Sequence, residues 1–572
     1  MKKHKDISLV LSGEAGRGLN TIEKILVRTL KLSGFHIFAA NEFMSRVRGG
    51  NNTVEIRVSA LPVEAFVDRI DILIPLNPGA IDRMAYRLDE KTLILGEPDN
   101  IEAGYREGHK ILEAHFSAIA VEAGDAIYAN SVAAGVIAGM LGADPGALDS
   151  QIDKSFGKKK KEVVEGNLAA ARKGFLTGEG LLKEAGITFG LEKDEKAKAD
   201  IVLSGGDAVS LGAIAGGCNF ISSYPMSPST SVLVFLAQHA EEFGLVAEQA
   251  EDEISAINMA LGAWYAGARA MVTTSGGGFA LMVEGLSLAG MIESPVVIHL
   301  AQRPGPATGL PTRTEQGDLL FALTAGHGEF PRIILAPGSI EEAFYLSQEA
   351  FNLADRFQAP VLILTDQYLM DSYRNISALD PDSIKVERAF VETGPEYRRY
   401  EITGDGISPR GVPGFGKGLV CADSDEHDAA GRIVEDRETR VSMVDKRLKK
   451  LDKIREAAME PALIGGDGYR TLVVGWGSTL SVVKEALSAA DISGVSFLHF
   501  RQVYPLHPRT KKYLEKAERI VTVENNATAQ FGSLLMLETG IRPHANILKY
   551  DGHPFSVEEL TRRLESIDGA KD

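Results

Sequence analysis

The chain has 572 residues and a mass of 61.5 kDa, room for about three or four domains. With 61 basic against 78 acidic side chains its formal charge is −17, which argues against nucleic acid or an anionic membrane as the main partner. Two cysteines, Cys218 and Cys421, are too few for an iron–sulfur cluster or a four-thiolate zinc site, and a reducing, cytoplasmic setting is expected.

No long apolar region follows the N-terminus, so no signal peptide is expected. The longest apolar run, near residues 132–143, is too short to span a bilayer. Residues 1–190 alternate strand and helix signals, with strands expected at 7–12, 35–40, 54–59, 70–75 and 92–95. This alternation implies a mainly parallel sheet. After the first strand come Gly13, Gly16 and Gly18. The spacing is not that of the dinucleotide fingerprint, so a tight strand–helix turn competes with a phosphate site. Arg46, Arg48 and Gly49 to Asn52 are a second anion-site candidate, or a solvated interface loop.

The charged stretch 191–198 reads as a linker. A second β/α series, residues 198–385, has strands expected at 201–204, 220–223, 270–274, 296–300, 332–335 and 361–364. Residues 386–465 read as an extended, ordered connection. Its expected apolar anchors are Tyr397, Tyr400, Ile402, Ile407, Val412 and Phe415, followed by a charged helix. Residues 466–572 form a third α/β series, with strands expected at 472–475, 496–500, 519–524 and 547–550. Gly466, Asp467 and Gly468 resemble the start of a magnesium motif, but no Asn follows about thirty residues on, and the segment reads as a turn. His427, among Asp423, Asp425, Glu426 and Asp428, has no second His or Cys at ligand spacing and reads as part of a solvated loop.

The chemistry concentrates in residues 220–320. Tyr224, Pro225, Ser227 and Pro228 make a rigid turn after a strand. Glu248, Glu251, Asp252 and Glu253 precede or open a helix, where acids favour the dipole and one of them can turn inward. Ser275 to Gly278 form a loop that lets a ligand approach the backbone. Arg303 to Gln316 follow the next strand and include Thr312 and Arg313. Ligands bind at the carboxyl ends of strands in such sheets, and these groups suit a small carboxylate. Ordinary polar strand–helix loops are the alternative.

These segments resemble the α subunit of the 2-oxoacid:ferredoxin oxidoreductases. The signatures are the Tyr224–Pro228 turn, the acidic helix start, the Ser275–Gly278 loop and the run from Arg303 to Gln316. The likeness continues through Gly404–Arg410 and Asp425–Asp428, and residues 1–185 are similar to the family's γ subunit fused ahead of α, an arrangement especially common in the 2-oxoglutarate-using branch. The resemblance implies an α/β fold of three successive parallel-sheet domains. They are a γ-like domain, a thiamine-diphosphate pyrimidine-binding domain and a transketolase C-terminal-like domain.

It further implies oxidative decarboxylation of a 2-oxoacid, expected to be 2-oxoglutarate, with coenzyme A and thiamine diphosphate. The products are acyl-CoA, CO2 and reduced ferredoxin. A separate β subunit is implied to carry Mg2+ and the iron–sulfur cluster, in an αβ or (αβ)2 assembly, with no metal on this chain. By motif, Glu253 matches the carboxylate that hydrogen-bonds the cofactor's pyrimidine, with Glu251 as competitor. Arg303 matches the group gripping the substrate carboxylate. Ser227 and Thr312 match substrate-contacting hydroxyls, and Ser227 stands where threonine is usual. Arg313 is the candidate for a distal substrate carboxylate. Tyr224, Pro225, Ser275 and Gly276 are expected to line the cofactor. Pyruvate or a branched-chain 2-oxoacid is the alternative substrate. A non-catalytic metabolite-binding module is the alternative from another class.

Overall fold

The computed structural model describes residues 6–44 and 50–569; the Arg46 and Arg48 cluster lies outside the described residues. The chain divides into two compact units. One holds residues 1–203, 372–378 and 556–558, and the other holds 204–371, 379–555 and 559–572.

The first unit is built on an eight-stranded sheet. Its order is Lys110–Glu113, Leu93–Gly96, Ile72–Pro75, Asp6–Glu14, Asn51–Ser59, His36–Glu42, Ser372–Ile376 and Ile201–Ser204. This sheet is mixed rather than mainly parallel. Asn51–Ser59 runs antiparallel to both Asp6–Glu14 and His36–Glu42. Only eight residues lie between His36–Glu42 and Asn51–Ser59, too few for a helical crossover, so nothing forces the two strands parallel. The strand Ile201–Ser204, expected to open the second series, instead closes the edge of this sheet. Short apolar strands do not encode their neighbours, and the pairing is decided by which edge is open.

Beside the sheet, helices Ala129–Met140 and Lys161–Ala185 pack backbone to backbone. A side chain at Gly135, Gly139, Gly174 or Gly178 would strike a carbonyl of the facing helix. Gly18, at φ 87°, starts helix Leu19–Leu32 with no side-chain cap, so the first glycine loop is a tight strand–helix turn.

The second unit contains a seven-stranded sheet and a five-stranded sheet. The first has the order Gln502–Tyr504, Ile333–Leu335, Pro360–Asp366, Val296–Gln302, Ala270–Thr274, Phe220–Ser223 and Val246–Gln249. Its central strands, Val296–Gln302 and Pro360–Asp366, are buried along their whole length, as parallel strands covered on both faces must be. Gln502–Tyr504 joins antiparallel, from far along the chain. The five-stranded sheet is parallel apart from Ala462–Ile464, which runs antiparallel to Val495–Phe500. The turn at Gly466–Gly468 lies between Ala462–Ile464 and Thr471–Trp476.

Residues 386–465 are held by charge more than by the expected apolar anchors. Tyr400 and Val412 are buried, but Ile402 and Phe415 are exposed. Lys446 and Lys450, on helix Arg437–Glu456, pair with the buried Glu293, with Lys446 Nζ 2.6 Å from its carboxylate. Arg410 and Arg269 share the buried Asp355. Arg447 makes two 2.9 Å hydrogen bonds to Glu426. His427 is therefore not on a solvated loop. Its ring lies 3.9 Å from that of Tyr400, and the side chain is fully buried.

Candidate functional site

Three strands of the seven-stranded sheet, Phe220–Ser223, Ala270–Thr274 and Val296–Gln302, end on the same edge, and each runs into one of the polar loops. The acidic cluster is sorted by the helix that it starts. Asp252 is the N-cap and accepts a 2.7 Å hydrogen bond from the Ser255 amide. Glu248 and Glu251 are exposed. Glu253, the first helical residue, is turned inward and only 2% exposed. Burial raises its pKa, and the neighbouring Asp252 charge adds to the shift.

Above Glu253 lies the glycine segment Ser275–Gly278, which is not the expected loop but the N-cap and first turn of the short helix Gly276–Leu281. A Cβ on Gly278 would collide with Glu253 Oε1 and Thr274 Oγ1. A Cβ on Gly276 would fall 2.5 Å from Asp318 Oδ2. Glycine is needed here for space. Around the same turn lie three shielded polar atoms without a hydrogen-bond partner, Glu253 Oε1, Ser275 Oγ and Asp318 Oδ2. Unpaired buried polar atoms are costly and rare, and three around one glycine turn are what a bound polar group would satisfy.

Arg303 leaves the end of Val296–Gln302 and donates a 2.7 Å hydrogen bond to the Ser227 carbonyl. That bond joins two of the expected substrate residues. Burial lowers the Arg303 pKa, and the Asp318 charge opposes the shift. Tyr224, Pro225 and Ser227 are exposed at the rim. Thr312 and Arg313 lie further along the loop. Arg313 Nη1 donates to the Thr312 carbonyl at 3.2 Å, and its side chain stem packs 3.2 Å from the Cβ position of Gly552.

The end of this loop is structural. The Gln316 side chain donates to the Trp476 carbonyl at 2.9 Å and accepts from the Asn525 amide at 2.9 Å. It ties the loop to the five-stranded sheet, so the motif's last residues set its conformation. Beneath the site, His299 is buried between Thr273 and Thr365, 2.7 and 2.8 Å away. Burial pushes its pKa down to about 3, so it is a neutral strut.

Sequence reasoning passed over Asp318. The Asp318 amide is held by the Gln302 side chain at 2.9 Å. Burial raises the Asp318 carboxyl to about 6 while Arg303 pulls it down. The available signal was a lone acid just before an apolar helix, two residues past the motif. Among the described residues no group of three or more His, Cys, Asp or Glu is placed to hold a metal ion.

Residues 211–446 match the family described as pyruvate flavodoxin/ferredoxin oxidoreductase, thiamine diP-binding. Residues 8–177 match the pyruvate ferredoxin/flavodoxin oxidoreductase family. A 2-oxoacid:ferredoxin oxidoreductase subunit alpha from Sulfolobus sp. is 32% identical over 99% of this chain and 98% of its own. The 2-oxoglutarate synthase subunit KorA of Archaeoglobus fulgidus is 34% identical over 57% of this chain and 88% of its own. The solved 2-oxoglutarate:ferredoxin oxidoreductase from Magnetococcus marinus, with 2-oxoglutarate, coenzyme A and succinyl-CoA bound, is 29% identical. It matches with a TM-score of 0.91 over 98% of this chain and 99% of that one. At 32% identity over nearly the whole length, and with a thiamine-diphosphate-binding family matched across the sheet edge that carries Glu253 and Arg303, this chain belongs to the α subunits of the 2-oxoacid:ferredoxin oxidoreductases.

Proposed function

We propose that this chain, with a separate β subunit, decarboxylates 2-oxoglutarate oxidatively, using thiamine diphosphate and coenzyme A, and yields succinyl-CoA, CO2 and reduced ferredoxin. The observation that carries this reading is the inward-turned, unpaired Glu253 beneath a glycine turn and on the same strand edge as Arg303. In domain terms, residues 1–190 are the γ-like domain, 198–385 the pyrimidine-binding domain, 386–465 the connection and 466–572 the transketolase C-terminal-like domain.

The residues fit the cofactor's pyrimidine. Glu253 Oε1 and Ser275 Oγ are unpaired polar atoms, and Gly276 and Gly278 leave the space a side chain would fill. When bound, thiamine diphosphate supplies the nucleophilic carbon and the electron sink for decarboxylation. Glu253 holds a proton in a hydrogen bond with a pyrimidine nitrogen, and burial favours this shared proton over a bare carboxylate. Arg303 offers its guanidinium fork to the 2-oxoacid carboxylate. Ser227 and Thr312 contribute hydroxyls, Arg313 takes the distal carboxylate, and Tyr224 and Pro225 form the cofactor's rim.

Mg2+ and the iron–sulfur cluster are assigned to the β subunit. On this chain Cys218 is buried and Cys421 partly buried, and among the described residues neither belongs to a group of three or more His, Cys, Asp or Glu placed to hold a metal ion. A partner surface is available, because large apolar residues are left exposed after strand Phe220–Ser223 (Tyr224), on the helix that Glu253 starts (Ile254, Met259) and at the end of helix Gly276–Leu281 (Leu281). Among the described residues no helix is long and apolar enough to cross a membrane.

The test is anaerobic, coenzyme A-dependent reduction of a low-potential dye by this chain co-purified with its β partner. Turnover on 2-oxoglutarate that needs the partner is the expected result. Turnover only on pyruvate or 2-oxoisovalerate would refute the substrate. Turnover on none of them, with cofactor and cluster loaded, would refute the enzyme reading in favour of a metabolite-binding module.

A further inference from the structure

We propose that Asp318 is a positioning residue that sets the charge balance around Arg303 and so makes 2-oxoacid affinity fall as pH rises. This rests on the substrate role of Arg303 given above.

Four observations carry it. Asp318 Oδ2 is shielded from solvent and has no hydrogen-bond partner, so the carboxylate is not neutralised by a direct contact. Its position is fixed on two sides. The Gln302 side chain holds the Asp318 amide at 2.9 Å, and the carboxylate lies beside Gly276, 2.5 Å from where a Cβ would sit. Asp318 lies within the electrostatic reach of Arg303, and each charge acts on the other's ionisation. Arg303 is meanwhile engaged with the Ser227 carbonyl, which leaves Asp318 coupled to it through space.

The charged groups facing Asp318 are few. Arg303 comes from the strand end, and Glu315 comes from the same loop, where burial and then the Asp318 charge raise its pKa. The Ser275–Gly278 turn and Gln302 bring no charge of their own, and Glu253, whose pKa burial also raises, lies against Gly278 two residues along that turn from the Asp318 contact at Gly276. The helix that follows, Leu319–Thr324, carries no ionisable side chain. Burial raises the Asp318 carboxyl to about 6, so it changes charge in the range where the enzyme can be assayed.

The sign follows from linkage. A substrate carboxylate arriving at Arg303 is repelled by ionised Asp318 and not by its protonated form. Binding therefore favours the protonated form and takes up a proton, and affinity declines as pH rises through about 6. The ionised carboxylate also offsets part of the guanidinium's attraction, which adds to the same trend.

The experiment uses the αβ complex. KM for 2-oxoglutarate is measured from pH 5.5 to 8 in the native protein, in Asp318→Asn and in Glu315→Gln. The native KM is expected to rise about five-fold over this range, the size of one screened charge repulsion, with kcat changing little. Asp318→Asn should keep the low KM at every pH, while Glu315→Gln should keep the native slope. The second measurement needs neither turnover nor a variant. Calorimetric titration of 2-oxoglutarate into the native complex depleted of thiamine diphosphate, near neutral pH in buffers of different ionisation enthalpy, should report uptake of a fraction of a proton. A flat native KM, a slope that survives in Asp318→Asn, or binding without proton uptake would overturn the role of Asp318 and leave the functional reading standing. Absence of any 2-oxoacid binding or turnover would remove both.

Discussion

Replacing Glu253 by glutamine tests the centre of the proposed mechanism. The substitution keeps the volume of a side chain that is 2% exposed, so the glycine turn above it need not move. What is lost is the ability to carry charge and to share a proton with the cofactor. Proton transfer by a placed side chain contributes about 10²–10⁴-fold, equivalent to about 3–5 kcal/mol. The expected result is a fall of that size in kcat for coenzyme A-dependent dye reduction.

The fold should not suffer. The buried carboxylate has an unpaired oxygen and a pKa raised by desolvation. In the cofactor-free protein the folded state thus holds the proton more tightly than the unfolded chain. The stability linked to this proton is fully present below the ordinary glutamate range and is lost as pH rises through the raised value. Glu253→Gln should remove this loss, so the cofactor-free variant should melt at or above the native temperature at pH 8 and converge with it in acid. The parallel variant Glu251→Gln, at an exposed position, should retain activity within about three-fold, as surface changes do. If Glu251→Gln abolished turnover while Glu253→Gln kept it, the assignment from burial would be wrong.

Three further outcomes follow from the same geometry. Arg303→Lys keeps the charge but loses the planar fork, and should raise KM for 2-oxoglutarate by about ten-fold or more, measured by initial rates. Arg313→Ala should raise KM for 2-oxoglutarate far more than for pyruvate, and equal effects on both would remove Arg313 from the distal carboxylate. Glu293→Gln would leave the buried Lys446 and Lys450 without their counter-charge, at a cost of about 3–5 kcal/mol read as a lower Tm in thermal unfolding. The Lys450 and Lys446 charges beside Glu293 outweigh its burial and hold its pKa near 2, so its contribution is present above the ordinary glutamate range and is lost as pH falls toward 2.

Much of this protein was legible from local sequence. Strand runs such as 270–274 and 519–524 are short and apolar and are bounded by turn residues, and they lie where expected. The run Arg303–Gln316 is contiguous, so the family likeness needed no knowledge of packing. The anchoring of residues 386–465 was misjudged in kind. Exposed Ile402 and Phe415 look like anchors in a sequence, whereas Lys446 and Lys450 look like solvated surface until Glu293 is found opposite them. Their partner is about 150 residues away, and no local pattern encodes it.

Residue order along the chain was enough to establish the α/β class, the glycine turns and the set of groups available for chemistry, because turn and helix-start preferences act over a few neighbouring residues. Folding in three dimensions assigned each group its work. Ile201–Ser204 and Ser372–Ile376 come from far apart to finish one sheet edge, which depends on an open edge rather than on composition. Of four clustered acids, Asp252 caps the helix and Glu253 points inward, because the helix start fixes their directions. Asp318 gains its unusual carboxyl only because Gly276, Gln302 and Arg303 lie around it, and an environment assembled from two strand ends has no signature in any single stretch of the chain.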